Sequence, residues 1–400
     1  DFCLSRGLGD VYKRQQDNWG EDLIFNVYDG APYYWDKTLG LGARATTFAS
    51  QTGASDAPTI TRRIMVSGAD RHVVCFGCNP INETDQDLLM VRWSDQEDPV
   101  DWTPTATNTA GSQRISSGSE IISAQKTRQE MLIWTDTSLH AMRFTGPPFT
   151  FGISMLANNV SILGPNAVTT VGDKVFWMDR ENFYVYTGRV QVIPCTLLRY
   201  VFDDINLDQS FKCFAASNKM FDEVFWFYPT SDSDEIDRYV KFNFTENTWD
   251  LGSLSRTAWV DYGIHDNPRG SGAVSSVNYI YIHELGQNND GSAMTAFIES
   301  ADFDLGDGDH FMFMSRVVPD ISITDTSGDS SGTVDYIVKT RNYPGDSLTT
   351  NSTNSVTPTT QQSFVRARSR QAVMRIQSAS TDLAWTLGDL RLDLRPDGRR

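Results

Sequence analysis

The sequence predicts an all-β chain, with a β-propeller-like body and an additional C-terminal β-domain. Three observations predict it. Aromatic residues make up 12% of the chain and fall in short runs such as Val175-Phe176-Trp177-Met178 and Phe183-Tyr184-Val185-Tyr186, which suit pleated strands. One hairpin pattern recurs along most of the length, and from Asp17 onward few credible long helices interrupt it. At 40% hydrophobic residues the chain can bury a sizeable core, which excludes disorder as its general state.

The hairpins carry aromatic strands. Glu130–Trp134 turns at Thr135–Ser138 and returns as Leu139–Phe144. Gly172–Trp177 turns at Asp179–Asn182 and returns as Phe183–Tyr186. Asp222–Trp226 crosses an acidic loop, Ser231–Asp237, and returns as Arg238–Phe244. Weaker copies pair His72–Phe76 with Leu88–Trp93, Asn278–Ile282 with Met294–Ile298, and Asp22–Tyr28 with Pro32–Trp35. Anchored on Phe76, Trp134, Trp177, Trp226 and Tyr281, the repeat steps by 58, 43, 49 and 55 residues, the size of a diverged propeller blade. A β-sandwich of similar hairpins is the alternative architecture. These limits place the body at residues 16–300.

Residues 301–400 break the rhythm and form the second β-domain. A Gly/Asp loop, Leu305–Asp309, leads into the strands Phe311–Val318 and Thr333–Thr340. The Ser/Thr/Asn/Pro-rich stretch Ser347–Gln362 reads as an exposed loop. Strands Ser363–Arg368 and Ala372–Ile376 follow. The run Ala384–Leu394 closes the chain, its Leu390, Leu392 and Leu394 alternating with charges as on a strand with one wet face. Residues 1–15 match no pattern downstream and resemble translated sequencing adaptor of the kind found in assembled environmental reads. They are set aside as non-native, with the natural start expected to be missing.

The net charge of −17 is unevenly placed: residues 361–400 hold eight Arg and four Asp, net +4, leaving −21 for residues 1–360. So acidic a body repels phosphate and makes specific duplex binding a poor expectation; it suits a surface that DNA slides past without sticking, with ordinary solubility as the plainer reading of the charge. No apolar run approaches a membrane span of ~20 residues, so no membrane insertion is expected.

Gly328-Asp-Ser-Ser-Gly332 matches the G-x-S-x-G pattern of a nucleophile elbow, but a strand follows where that motif needs a helix, so it reads as a turn. Cys75-x-x-Cys78 has no second Cys/His pair at zinc spacing, and with Cys195 and Cys213 it reads as buried, reduced thiol. Asp302, Asp304, Asp307 and Asp309 surround glycines without the rest of a calcium loop. Hence no catalytic, metal or cofactor residue is assigned. Arg366, Arg368 and Arg370 alternate on one expected strand face with Arg375 nearby, as a contact for a neighbouring subunit or for phosphates; the plainer reading is a solvated face that suppresses edge aggregation.

Four stretches carry a family resemblance: Asn18–Ile24 with Tyr34-Trp35-Asp36, Val91–Asp95 with Pro99–Trp102, Gly172–Gly188, and Arg391–Arg400. In this order they resemble the tail nozzle or hub proteins of short-tailed bacteriophages, including the packaged-DNA stabilisation family, over most of residues 17–400. The resemblance implies a virion structural protein, not an enzyme, made in the host cytoplasm and carried in the phage tail. It implies a homo-oligomeric, hexameric ring below the portal and adaptor, contacting other tail proteins, conducting DNA and helping retain it. A receptor- or carbohydrate-binding tail protein is the second expectation, and a propeller glycosidase the third.

Overall fold

The computed structural model describes residues 14–399 apart from 69, 147, 264, 275–276 and 326–331. The adaptor-like residues 1–13 and most of the Gly328–Gly332 motif lie outside them. The chain divides into two compact units, residues 1–283 and 284–400.

The first unit stacks antiparallel sheets, each built from consecutive strands in chain order. Five have four strands: Arg14–Trp19 to Thr46–Thr47, Thr61–Val66 to Gly111–Arg114, Ile121–Lys126 to Thr150–Asn158, Val168–Val171 to Val190–Ile193, and Phe214–Asn218 to Thr248–Ser253. A sixth has three, Ala258–Val260, Arg269–Val274 and Val277–Ile282. Arg14 and Gln15, set aside with the adaptor-like segment, begin the first strand. First strands of successive sheets are neighbours: Arg62 donates to the Ile121 carbonyl, and Ala215 N to the Asn166 carbonyl. Each pair of adjacent sheets shares an apolar layer. Ile24, Phe48 and Trp102 fill one, Phe76 and Ile133 another, and Trp134, Trp177 and Trp226 lie in a third that joins sheets three to five. Among the described residues, six sheets stacked in series, the inner ones burying both faces on their neighbours, make a β-propeller-like body and set aside the two-sheet sandwich alternative.

The recurrent hairpins form as expected, but their strands are the second and third of each sheet. Met131–Thr135 pairs with Ser138–Gly146, Lys174–Met178 with Phe183–Tyr186, and Glu223–Tyr228 with Arg238–Asn243. In the second to fifth sheets the middle strands are covered on both faces, so they concentrate the aromatics; the first and fourth strands are more polar and gave no comparable signal. One expected hairpin is corrected. Val277–Ile282 pairs back onto Arg269–Val274, whereas Ala296–Glu299 joins Gln371–Ser378 in the second unit.

That second unit is an additional β-domain. Strands Ala296–Glu299, Gln371–Ser378, Val334–Arg341 and Thr349–Val356 lie side by side in one sheet, and Ser363–Ser369, Met312–Val318 and Arg391–Pro396 in another. Their inner faces meet in one core containing Met314, Tyr336, Val338, Val365 and Ile376. Two expectations are corrected here. The expected loop Ser347–Gln362 contains the strand Thr349–Val356, which pairs with Val334–Arg341; it reads as polar because it is an outer strand whose side chains mostly face solvent until Val356 enters the core. The expected single run Ala384–Leu394 is two strands, Leu383–Leu387 and Arg391–Pro396. Gly388 separates them, with its N–H 2.7 Å from the Asp320 carbonyl and the Asp320 carboxylate 2.6 Å from where a Cβ would stand. Among the described residues no helix is long and apolar enough to cross a membrane.

Candidate interaction surface

Alternation along Ser363–Ser369 sends Val365 and Ala367 into the core and leaves Phe364, Arg366 and Arg368 on the outer face. Register then sets their neighbours. Phe313, in the central strand, lies opposite both Arg368 and Arg395, and Arg316 opposite Phe364 and Asp393. Phe364 is 69% exposed. Arg395 stacks over the Phe313 ring at 4.8 Å and Arg368 over Phe311 at 4.1 Å, while Arg368 Nε also donates to Asp397 Oδ2 at 2.6 Å. Arg366 and Arg391 are exposed and have no hydrogen-bond or ion-pair partner among the described residues. Exposed ion pairs contribute under about 1 kcal/mol and exposed cation–π contacts about 0.5–1 kcal/mol. These contacts therefore orient the guanidinium groups more than they stabilise the sheet.

The four arginines singled out from the sequence separate into three roles. Arg366 and Arg368 share the outer face as expected. Arg370 lies just past the strand and turns to backbone, donating to the Gly308, Asp309 and Arg399 carbonyls while stacking on Phe311 at 4.9 Å. Arg375 belongs to the other sheet, where it meets Glu299 at 3.2 Å and Phe297 at 3.7 Å. The face instead recruits Arg391 and Arg395 through pairing across Met312–Val318. Their period-2 spacing with Asp393 was visible in the sequence; the adjacency to Arg366 was not.

The first unit holds two polar constellations that sequence reasoning missed. Buried His72 contacts Asp70 Oδ2 at 3.1 Å through Nδ1 and Thr109 Oγ1 at 3.0 Å through Nε2. This has the outline of an Asp-His-hydroxyl triad, but Thr109 gives its one proton to Asp95 Oδ1 at 2.6 Å. A hydroxyl already donating to a carboxylate has no proton for the imidazole to take, so the network is structural. Burial pushes the Asp95 carboxyl up, and hydrogen bonds from Thr109 and Gln96 outweigh it and hold it below the usual range.

The second constellation lies where the first strands meet. Arg62 joins three sheets, bonding Asp29 at 3.0 Å and Glu120 at 2.6 Å and lying over the Tyr28 ring. Arg63 donates to Ser123 Oγ at 2.8 Å and the Pro165 carbonyl at 2.7 Å, and burial lowers its guanidinium to about 10. Gln15 reaches Asn166 at 2.9 Å, and Asp17 binds Lys126 at 3.0 Å.

The thiols of Cys75, Cys78 and Cys213 are buried and free. Burial pushes Cys75 and Cys213 to about 12, outside the range of a reactive thiolate. The aspartates of the Gly/Asp loop part company, Asp302 binding Arg341 at 2.5 Å and Asp309 binding Arg399 at 3.3 Å. Among the described residues no group of three or more His, Cys, Asp or Glu can hold a metal ion. A groove of about 530 Å³ lies between the third and fourth sheets and is lined by Leu156, Val160, Tyr184, Tyr186 and Arg189.

No family model matches the sequence, and no curated protein matches it. Among solved structures, the chain is similar to Hsv2 from Kluyvelomyces marxianus, at 9% identity and a TM-score of 0.40 over 71% of this chain and 75% of that one. It is also similar to YCF48 bound to D1 peptide, at 6% identity and 0.37 over 68% and 77%, and to a Synechocystis apocarotenoid oxygenase, at 8% and 0.35 over 69% and 67%. These likenesses are remote; the fold assignment rests on strand order and on the shared layers between sheets.

Proposed function

We propose that this chain is a structural protein of a short phage tail, one subunit of an oligomeric ring that surrounds passing DNA. The observation that carries the reading is charge segregation. Residues 1–283 hold 35 Asp and Glu against 23 Lys and Arg, net −12, whereas one sheet face of the second unit presents arginine and phenylalanine. Acidic walls repel phosphate and let a duplex slide, and arginine with aromatics is the composition of protein contacts. The four-stretch resemblance to tail nozzle proteins supports the same reading, with portal and adaptor proteins as neighbours and no catalytic role. Light scattering on the purified chain, followed by imaging of the large species, tests it. A closed ring of about six subunits with an axial channel is the expected result; a particle that stays monomeric at every concentration removes the reading.

One observation favours a second reading, a receptor- or glycan-binding tail protein: the open groove beside Tyr184 and Tyr186. Aromatic-lined clefts of this size accept small ligands. Glycan-array binding abolished by Tyr184→Ala would move the assignment there.

A further inference from the structure

We propose that the outer face of the sheet Ser363–Ser369, Met312–Val318 and Arg391–Pro396 docks on an acidic surface of a second copy of this chain. The inference rests on the oligomeric reading above and names the contact that builds the oligomer.

Three observations carry it. The face offers guanidinium groups with no internal counter-charge, Arg366 and Arg391, beside an exposed ring, Phe364. Residues 361–400 contain eight Arg and no Lys. A planar guanidinium is less strongly hydrated than an ammonium and meets a carboxylate through two parallel hydrogen bonds, so this choice suits a contact that excludes water. The complementary chemistry is in the same sequence. At the end of the fifth sheet, the loop before Arg238 exposes Asp232 and Asp234. Asn206 ties that loop to the segment Asp203–Asp208 by donating to the Ser233 carbonyl at 3.0 Å. Leu207 and Tyr200 are 51% and 48% exposed there, apolar counterparts for Phe364.

Charge decides between a second copy and a nucleic acid. Against the −21 carried by residues 1–360, a polyanion is repelled on approach, while a second copy brings acidic and basic patches together at short range. The two patches differ, so the contact is heterologous: it closes into a ring if the rotation permits and extends into a filament otherwise.

The test measures the mass of the full chain by light scattering for wild type, Arg366→Glu/Arg391→Glu, Asp232→Lys/Asp234→Lys, and the four changes combined. All four positions are exposed, and circular dichroism melts check that each variant folds. Wild type is expected to assemble, and to dissociate as salt rises from about 50 to about 500 mM and the screening length falls to a few Å. Each double reversal is expected to weaken assembly by about tenfold or more, and the combined swap to restore it. If wild type assembles and Arg366→Glu/Arg391→Glu leaves the mass unchanged, this contact is wrong and the ring reading stands. If wild type is monomeric throughout, both fall. If the mass is unaffected but Arg366→Glu/Arg391→Glu abolishes binding of a labelled DNA duplex, the face is a phosphate surface and the proposal is overturned.

Discussion

The two units solve the same problem, burying β-sheets, in opposite ways. In the first, sheets stack in series and the middle strands are covered on both sides. Strands such as Met131–Thr135 are buried at every position, and the polar groups among them include the networks around His72 and Arg62. In the second unit each sheet has one dry face and one wet one. Ser363–Ser369 alternates strictly between Val365 or Ala367 inside and Phe364, Arg366 or Arg368 outside. The lesson concerns where chemistry can sit. The body spends its aromatic residues on holding sheets together, whereas the C-terminal unit turns arginine and phenylalanine towards solvent.

That contrast is open to direct attack. The largest effect is expected at the interlocked tryptophans. Trp177 is fully buried with its ring 5.4 Å from Trp134 in the neighbouring sheet, so Trp177→Ala should cost about 3–5 kcal/mol in urea denaturation. Phe364→Ala, on the wet face, should stay within about 0.5 kcal/mol. Equal losses would erase the distinction between the units.

Next come the charged groups. Arg62 is buried while its partners Asp29 and Glu120 are more than a third exposed, so solvent screens part of the interaction. Arg62→Met should therefore cost about 1–3 kcal/mol rather than the full penalty for breaking a buried pair. Arg368→Met, whose ion pair with Asp397 is exposed on both sides, should cost less than about 1 kcal/mol.

Acid sensitivity sharpens the comparison further. Asp101 is held below the usual range chiefly by a hydrogen bond from Ser55, with burial opposing it, and Asp95 is lowered as described above. A folded pKa below the unfolded value of about 3.9 stabilises the protein above that value, and the gain is lost as pH falls through the folded pKa. Asp95→Asn with Asp101→Asn should lower stability at pH 7 and flatten its fall below about pH 4. In the second unit Lys339 lowers Glu299, with burial opposing and Arg375 assisting. Glu299→Gln should act in the same direction but by less, because that carboxylate is 29% exposed and screened. A larger effect from Glu299→Gln would count against treating the wet face as energetically light.

The fold was legible where burial is two-sided. The runs around Trp134, Trp177 and Trp226 cannot face water, so their spacing disclosed the repeat and the hairpin pairs. Thr349–Val356 was not legible as a strand, because an outer strand with solvated side chains has the composition of a loop. The candidate surface was half legible: Arg366 and Arg368 follow from alternation within one strand, a local property.

By itself, then, the sequence determined the all-β class, the repeating hairpins and the segregation of charge. These depend on period and composition, which are properties of the chain read in order. Only the tertiary structure decided which strands pair across long separations. It moved Ala296–Glu299 into the second unit's sheet, gave Arg375 to a different sheet from Arg366, and brought Arg391 and Arg395 alongside Phe313. Pairing across such distances is set by which faces must be buried together, and many partners satisfy the same local pattern equally well.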